Sequence, residues 1–193
     1  MQFNEHSRYE GLHAFLSPSQ YHWLRYSDDK LLEKYETQKA AAMGTRLHAF
    51  ASECIQLGQK LPRSRKTLNN FVNDAIGYRM KSEQALVYSE NCFGTADAIS
   101  YDEGKKLLRI HDLKTGKTPA KFEQLMIYAA IFCLEYHKMP ENMDIELRIY
   151  QNDDVMELFP EAQDVRDIME TIVRFDKLLS NRSEERRVGK ECD

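Results

Sequence analysis

The spacing of the apolar residues changes partway along the chain, and this change constrains the fold more than any other feature. In the segments 30–57 and 67–80 the apolar residues recur at helical spacing. Between residues 85 and 114 three short runs instead show the pattern of strands. Helical spacing returns up to about residue 136. Two further strands follow within 144–159, and a last helical segment covers 165–179. This order predicts an α/β fold in which helices flank a mixed central β-sheet.

Local signals set the predicted bounds of these elements. Gly58 is a typical stop for the long helix, and the polar segment 60–66 is a loop. Thr118 and Pro119 form an N-cap and first-turn pair, which predicts a helix from there to about residue 136. The predicted strands are 85–90, 92–101, 106–114 and two within 144–159, and the last predicted helix is 165–179.

The length of 193 residues predicts a single domain with a sizeable core. We expect this domain to cover residues 1–180, with a helical part over about 1–82 and a catalytic sheet core over about 83–180. Residues 181–193 are densely charged and have no apolar period, which predicts a disordered tail. The composition of that tail also resembles a cloning or sequence-assembly artefact.

Composition argues against several classes of protein. No stretch approaches the ~18 apolar residues of a membrane span, and the N-terminal residues do not resemble a secretory signal. The four cysteines are scattered without a CxxC pair, which argues against a zinc ribbon or an iron–sulfur site. We therefore expect a cytoplasmic protein with reduced thiols. The net charge of −4 is mildly unfavourable for nucleic-acid binding, but basic residues crowd 105–121 and provide a local cationic surface.

The segment HDLKTGKT, residues 111–118, has two chemical interpretations. Its end resembles a phosphate-binding loop, but that motif requires a glycine five positions before Gly116, where His111 stands. An extended HDLKT segment cannot wrap phosphates with its backbone N–H groups. The start of the segment instead places Asp112 and Lys114 on one face of a strand, as a metal-dependent enzyme that cuts phosphodiesters would require. This second interpretation needs another acid nearby.

The predicted hairpin supplies that acid. A turn at 102–105 pairs the second and third strands so that Ile99 lies opposite Leu108. Asp97 and Asp112 are then diagonal neighbours, with α-carbons about 7–8 Å apart. At that separation two carboxylates can hold one divalent cation between them.

Oxygen ligands of this kind select Mg²⁺ or Mn²⁺. Lys114 beside the ion could orient or deprotonate the attacking water, and the carbonyl oxygen of Leu113 could add a further ligand. Phe93 and Ile99 on the same face indicate that it points to the core. The alternative is a surface hairpin with an Asp–Lys pair and no catalytic role.

Four short motifs in this order resemble the PD-(D/E)XK nuclease superfamily, and within it the branch of RecB-like and phage exonucleases. They are MGTRLHAFA at 43–51, GTADAI at 94–99, DLKTGK at 112–117 and QLMIYA at 124–129, and the segment 13–24 is similar to the opening of many such proteins. The resemblance covers roughly residues 13–175. It implies the restriction-endonuclease-like core for the sheet.

The resemblance also implies roles for single residues. Asp97, Asp112 and Lys114 would be the catalytic set. Gln124 and Tyr128, four positions apart and so on one helix face, would support the lysine and the substrate backbone. His48 would be a metal ligand or a phosphate contact. Glu90 matches an acid of the family, but it equally fits an exposed glutamate.

The activity implied by the resemblance is that of a metal-dependent DNA nuclease, an exonuclease acting in phage or bacterial recombination or repair. Its substrate would be single-stranded DNA or duplex ends, and its cofactor Mg²⁺ or Mn²⁺. A recombinase or a single-strand-binding or annealing protein would be its partner, and a homo-oligomer is compatible with it. Two alternatives remain open. One is a non-catalytic nucleic-acid-binding or assembly subunit of the same fold, and the other is a structure-specific endonuclease.

Overall fold

The computed structural model describes residues 14–16 and 18–188, and the chain divides into two units, Met1–Thr45 and Arg46–Asp193. In the first unit a 3-10 helix spans Pro18–Arg25. In the sequence, Ser17 before Pro18 is typical of the N-cap of a short helix, but Ser17 lies outside the described residues. Phe15 packs edge-on against Tyr35, with ring centroids 5.3 Å apart.

Four α-helices and five β-strands make up the regular structure of the described residues, apart from short 3-10 turns. The helices are α1 Asp28–Leu57, α2 Thr67–Gly77, α3 Glu123–Glu135 and α4 Ala162–Val188. The strands are β1 Lys81–Ser89, β2 Cys92–Asp102, β3 Leu107–Leu113, β4 Asp144–Gln151 and β5 Asp154–Leu158. Gly58 follows α1 with φ +65, a left-handed conformation that glycine adopts without steric cost.

The five strands form one mixed sheet in the order β1-β2-β3-β4-β5. Strands β3 and β4 are parallel and are connected through α3, whereas the other neighbours are antiparallel. The β4–β5 turn consists of Asn152 and Asp153, both with positive φ (53° and 59°), as in the two-residue hairpin turns that match strand twist. The predicted α/β class, a mixed sheet flanked by helices, is confirmed.

The sheet is buried on both faces. One core cluster joins the sheet to α3 and α4 and includes Leu125, Ile149 and Val165. The other joins the sheet to α2 and the last turns of α1 and includes Phe71 and Tyr150. Ile149 and Tyr150 are consecutive on β4 and belong to different clusters, because successive side chains of a strand point to opposite faces. The strand ends thus lie between two helical layers.

Two helix bounds differ from the sequence prediction. Helix α3 begins at Glu123 and not after Pro119, because the backbone of Gly116, Thr118 and Ala120 is bonded to the side chain of Gln151. Helix α4 extends to Val188, where the sequence predicts a disordered tail from residue 181. The residues from 182 to 187 are mostly Arg and Glu, which have high helix propensity and can continue an existing helix. Residues 189–193 of the predicted tail lie outside the described residues.

The boundary between the two units falls within α1, after Thr45, whereas the sequence suggests a change from helical part to sheet core near residue 82. His48 therefore belongs to the same unit as the sheet. Across the described part of the chain, every helix is too short or too polar to traverse a lipid bilayer.

Candidate active site

The loop of the β2–β3 hairpin lies one residue later than the sequence predicts. Asp102 and Leu107 are the last pair, so Ile99 lies opposite Ile110 and not opposite Leu108. Two features characterise this loop. The backbone N–H of Lys105 donates to Asp102 Oδ1 at 3.0 Å, and Lys106 adopts a positive φ of 50°. Each residue of β2 therefore lies opposite a residue two positions later on β3 than predicted. Because side chains alternate between the faces with a period of two, the predicted faces of the strands next to the loop are preserved.

Strands β2 and β3 separate at the site. Their ladder ends at the pair Ala98–His111, and the next positions along the two strands are Asp97 and Asp112. Beyond this point β2 pairs with β1 alone. Asp97 Oδ2 accepts the backbone N–H of Leu113 at 2.8 Å, which satisfies a donor that has left the ladder. Asp97 and Asp112 lie at this fork. They occupy the next position on each strand after the last pair, and so they are opposite each other and not diagonal neighbours as predicted.

The alternation of side chains along β2 breaks at the same place. Ala96 and Ile99 are three positions apart, yet both belong to the core cluster with α3. Across from this break Glu83 is missing from the β1–β2 register and has φ 49°, an unusual conformation for a non-glycine residue. Phe93 is consequently on the opposite face from Ile99 and is 67% exposed. The prediction that Phe93 points to the core is wrong.

Asp112 and Lys114 project from β3 toward α3. Asp112 is only 4% exposed, and Lys114 Nζ lies 3.0 Å from Asp112 Oδ2. The same ammonium group donates to Gln124 Oε1 at 2.8 Å, and the backbone N–H of Lys114 donates to the carbonyl oxygen of Tyr150 at 2.9 Å. Both the backbone and the side chain of this lysine are thus held in position. The predicted contact between Gln124 and the lysine is present.

Burial raises the pKa of Asp112, and the neighbouring charge of Asp97 raises it further, while Lys114 opposes both effects. Asp112 Oδ2 is buried and accepts no hydrogen bond of good geometry despite the nearby ammonium group. A buried carboxylate oxygen without a well-directed donor is unfavourable. The site is therefore short of positive charge in the absence of a cation.

A second group of ligand atoms meets Asp97 from the other side. His48 Nδ1 on α1 lies 3.4 Å from Asp97 Oδ2. One ligand atom from each of His48, Glu83 and Asp97 can be chosen so that all lie within 4.8 Å of one another. The hydrogen bond to Asp97 raises the pKa of His48 against the opposing effect of burial. The pKa of Glu83 is raised mainly by desolvation and then by Asp97.

Glu83 is a residue of the site that the sequence motifs did not indicate. The predicted first strand begins at residue 85, whereas β1 begins at Lys81. An antiparallel pairing extended back to Lys81 sets Glu83 across from Asp97. Glu90, the acid that the resemblance suggests, lies in the turn after β1 and is exposed. Glu83 and not Glu90 is the glutamate beside the site.

Tyr128 supports β2 and not the lysine. Its hydroxyl group donates to the carbonyl oxygen of Thr95 at 2.7 Å. Its ring lies so close to β2 that a Cβ atom on Gly94 would be 2.9 Å from Cε1, so the approach requires a glycine at this position. This contact holds the strand two residues before Asp97.

The residues at the fork suit a hard divalent cation. Asp97, Asp112 and Glu83 offer carboxylate oxygens and His48 offers a ring nitrogen, which together match the preferences of Mg²⁺ and Mn²⁺. A cation between Asp97 and Asp112 would also satisfy the buried Oδ2 of Asp112 and offset the repulsion that raises its pKa. The carbonyl of Leu113 remains a predicted ligand. Its residue is buried beside the fork.

Comparison of the chain with models of protein families found no match, and comparison with curated proteins found none either.

Substitution of Gln124 or Tyr128 is expected to weaken a metal-dependent reaction at this site without abolishing it. Gln124→Ala removes one of the two side-chain contacts of the Lys114 ammonium, and Tyr128→Phe removes the bond to Thr95. Losses of groups that orient others typically amount to about 10- to 100-fold. The rate constants of both variants, measured beside circular dichroism spectra, test this expectation. Complete loss of activity in either folded variant would contradict it.

The stability of the metal-free protein should depend on pH through Asp112. Because its folded pKa is raised, the neutral form stabilises the fold at low pH, and this contribution is lost as the pH rises through the raised value. Asp112→Asn cannot lose a proton there. The melting temperature of Asp112→Asn minus that of the wild type, both in EDTA, should therefore increase between about pH 4 and pH 7. A difference that stays constant or decreases would show that Asp112 has no raised pKa.

Proposed function

We propose that the protein is a Mg²⁺- or Mn²⁺-dependent deoxyribonuclease that hydrolyses phosphodiester bonds with a metal-activated water. Within this class we propose an exonuclease of DNA recombination or repair, as the resemblance to RecB-like and phage exonucleases implies. The free thiols of Cys54, Cys92 and Cys133 are compatible with a reducing compartment, and we propose that the enzyme acts in the cytoplasm.

One observation is the main support for this proposal. At the fork of β2 and β3, the buried carboxylate of Asp112 is ion-paired with Lys114 through an Oδ2 that accepts no hydrogen bond of good geometry, and Gln124 also holds the lysine. A merely structural Asp–Lys pair does not require the second carboxylate, Asp97, at the adjacent position, because like charges there are unfavourable. His48, Glu83 and Asp97 offer ligand atoms for a metal ion, and Lys114 offers the positive charge that phosphodiester hydrolysis needs.

Each residue has a definite role in such a reaction. A bound divalent cation would lower the pKa of a coordinated water and offset charge on the scissile phosphate. Asp97 and Asp112 would hold it, with Asp97 fixed by the Leu113 N–H group and by His48. Lys114 is positioned to donate to the oxygen of the attacking water or to contact a phosphoryl oxygen as negative charge develops there.

The experiment that tests the proposal uses labelled linear and closed circular DNA, each incubated with Mg²⁺, Mn²⁺ or EDTA. We expect the linear substrate to be degraded in either metal and to remain intact in EDTA. Nicking of the circle would replace the exonuclease assignment by that of an endonuclease. Binding of both substrates without any cleavage would favour the non-catalytic subunit.

Two variants with the same chemical change show whether the observed cleavage comes from this site or from a contaminating nuclease. Glu83→Gln changes a carboxylate within reach of His48 and Asp97, and Glu90→Gln makes the same change in an exposed turn. Both proteins would be purified identically. We expect cleavage to fall in the first and to be unchanged in the second. Equal activity in the two preparations would argue that Glu83 does not belong to the site.

A further inference from the structure

A cavity of about 270 Å³ adjoins the candidate active site through Lys114. Lys114 and Lys117 line it together with Asn152, and Leu47 and Leu68 form an apolar wall. Among the residues that the structure describes, no acidic side chain lines it. Its volume lies just below the lower end of small-molecule sites, about 300 Å³, so the part of a ligand that enters it must be small. An apolar wall facing cations and an amide suits a ring with polar edges and a phosphate.

Lys114, Thr115 and Lys117 form the rim of this cavity, and one side chain holds the segment 114–120 that contains them. Gln151 is only 3% exposed. Its Nε2 donates to the carbonyl oxygens of Gly116 at 2.6 Å and Thr118 at 2.8 Å, and its Oε1 accepts the N–H of Ala120 at 3.0 Å. All three contacts are to the backbone, so the amide group fixes the course of the segment whatever its side chains are.

This anchoring also sets the position of Lys117. The residue lies between the two carbonyl groups that Gln151 binds, and its own carbonyl oxygen is 3.5 Å from Asn152 Nδ2. The residue is exposed and is part of the cavity lining together with Lys114. Lys117 adds a positive charge beside the cavity, and contacts to phosphates position a nucleic acid without reading its sequence.

We infer that this cavity binds the nucleotide next to the scissile phosphate, with Lys117 contacting its phosphate and Gln151 acting as the positioning residue of the rim. The inference rests on the proposed nuclease function. It gives a role to Lys117 and Gln151, which have none in the proposed catalytic reaction. The TGKT segment would thus contact phosphate through a lysine side chain and not through a loop of backbone N–H groups.

The test compares Lys117→Gln and Leu68→Trp with the wild type on a short single-stranded oligonucleotide. Lys117→Gln removes one phosphate contact, and Leu68→Trp fills the cavity without changing a charge. We expect KM to rise about 10-fold in each, with kcat within about 3-fold of the wild type. Lys177→Gln, an exposed position on α4, is the matched control and should behave as the wild type. Unchanged KM in both cavity variants would overturn the inference.

Gln151 needs a test that separates positioning from folding. Gln151→Met has a similar volume but makes none of the three amide bonds. A folded variant, checked by circular dichroism, should show the same rise in KM as Lys117→Gln with kcat retained. If Gln151→Met does not fold, Lys117→Gln and Leu68→Trp still decide whether the cavity binds a nucleotide. A folded Gln151→Met protein with the KM of the wild type would remove Gln151 from the proposal.

Binding without cleavage distinguishes failure of this inference from failure of the nuclease proposal. The same oligonucleotide with a fluorescent label is titrated in Ca²⁺, and the dissociation constant is followed against salt concentration. Lys117→Gln should reduce the slope of log affinity against log salt by about 1, and Lys177→Gln should not. If the wild type cleaves DNA but all three proteins show the same salt slope, only the nucleotide-binding role of the cavity is contradicted. A wild type that neither cleaves nor binds would overturn both proposals.

Discussion

The Asp112→Asn variant is expected to lose DNA cleavage, yet to melt in the absence of metal at the same temperature as the wild type or at a higher one. Asp112 is buried, its Oδ2 accepts no well-directed hydrogen bond, and Asp97 lies at the neighbouring position of the fork. The substitution keeps the shape of the side chain and removes one of two repelling charges. A residue retained for catalysis at some cost to stability would behave in this way.

The response to Mn²⁺ gives the second readout of this variant. The wild type should gain stability from the bound ion by mass action, about 2.7 kcal/mol when free metal is roughly 100 times its dissociation constant. Asp112→Asn should gain much less, because the ion loses a charged ligand. Asp144→Asn, at an exposed position that begins β4, is the matched control and should respond like the wild type.

The outcomes of this experiment separate clearly. Full cleavage by folded Asp112→Asn would end the assignment of the nuclease site to this fork. A large decrease in its metal-free melting temperature would show that Asp112 stabilises the fold through Lys114, as an ordinary ion pair does. An equal response of both proteins to Mn²⁺ would place the cation elsewhere.

The second large effect is expected at Lys114. Lys114→Ala should reduce cleavage by at least ~100-fold, the scale of losing one charge contact to a transition state, while Mn²⁺ binding survives. The ammonium group is held by Asp112 and Gln124 beside the carboxylates, so its loss removes a positioned cation and no metal ligand. Rates under single-turnover conditions and Mn²⁺-dependent melting curves measure the two effects.

Lys117→Ala is the informative comparison for this variant. Lys114 and Lys117 are three residues apart and line the same cavity, but only Lys114 contacts Asp112. If TGKT bound a nucleoside triphosphate as a phosphate loop, Lys117→Ala would abolish activity and Lys114→Ala would be mild. We expect the reverse order in kcat. Helix α3 begins only at Glu123, so Lys117 does not stand at a helix N-terminus, as the lysine of that motif requires.

Much of the fold could be predicted because it depends on local patterns. The long helix ending at Gly58, the strands of the β2–β3 hairpin and the helix containing Gln124 and Tyr128 each follow from spacing within one segment. The faces of Asp112 and Lys114 were predicted correctly even with a register error of two positions, since that error preserves the alternation. Lys114 and Gln124 meet because β3 and α3 are connected by a short segment.

Other features could not be derived in this way because they depend on pairs of distant residues. The loop of the hairpin lies one residue later than predicted, where the Lys105 N–H group donates to Asp102 and Lys106 has a positive φ. The start of α3 moved because Gln151, more than thirty residues later, binds the backbone of 116–120. No periodicity within a segment reports such contacts.

By itself, the sequence determined the class of fold, the order of its elements and the residue types that can hold a divalent cation at the end of the hairpin. Only the tertiary structure decided that β2 and β3 separate at Asp97, and that His48 from α1 and Glu83 from β1 meet Asp97 there. The physical reason is the range of the forces involved. Side-chain spacing is fixed within a few residues by backbone geometry. The meeting of charged groups 35 to 50 residues apart is fixed by how whole elements pack.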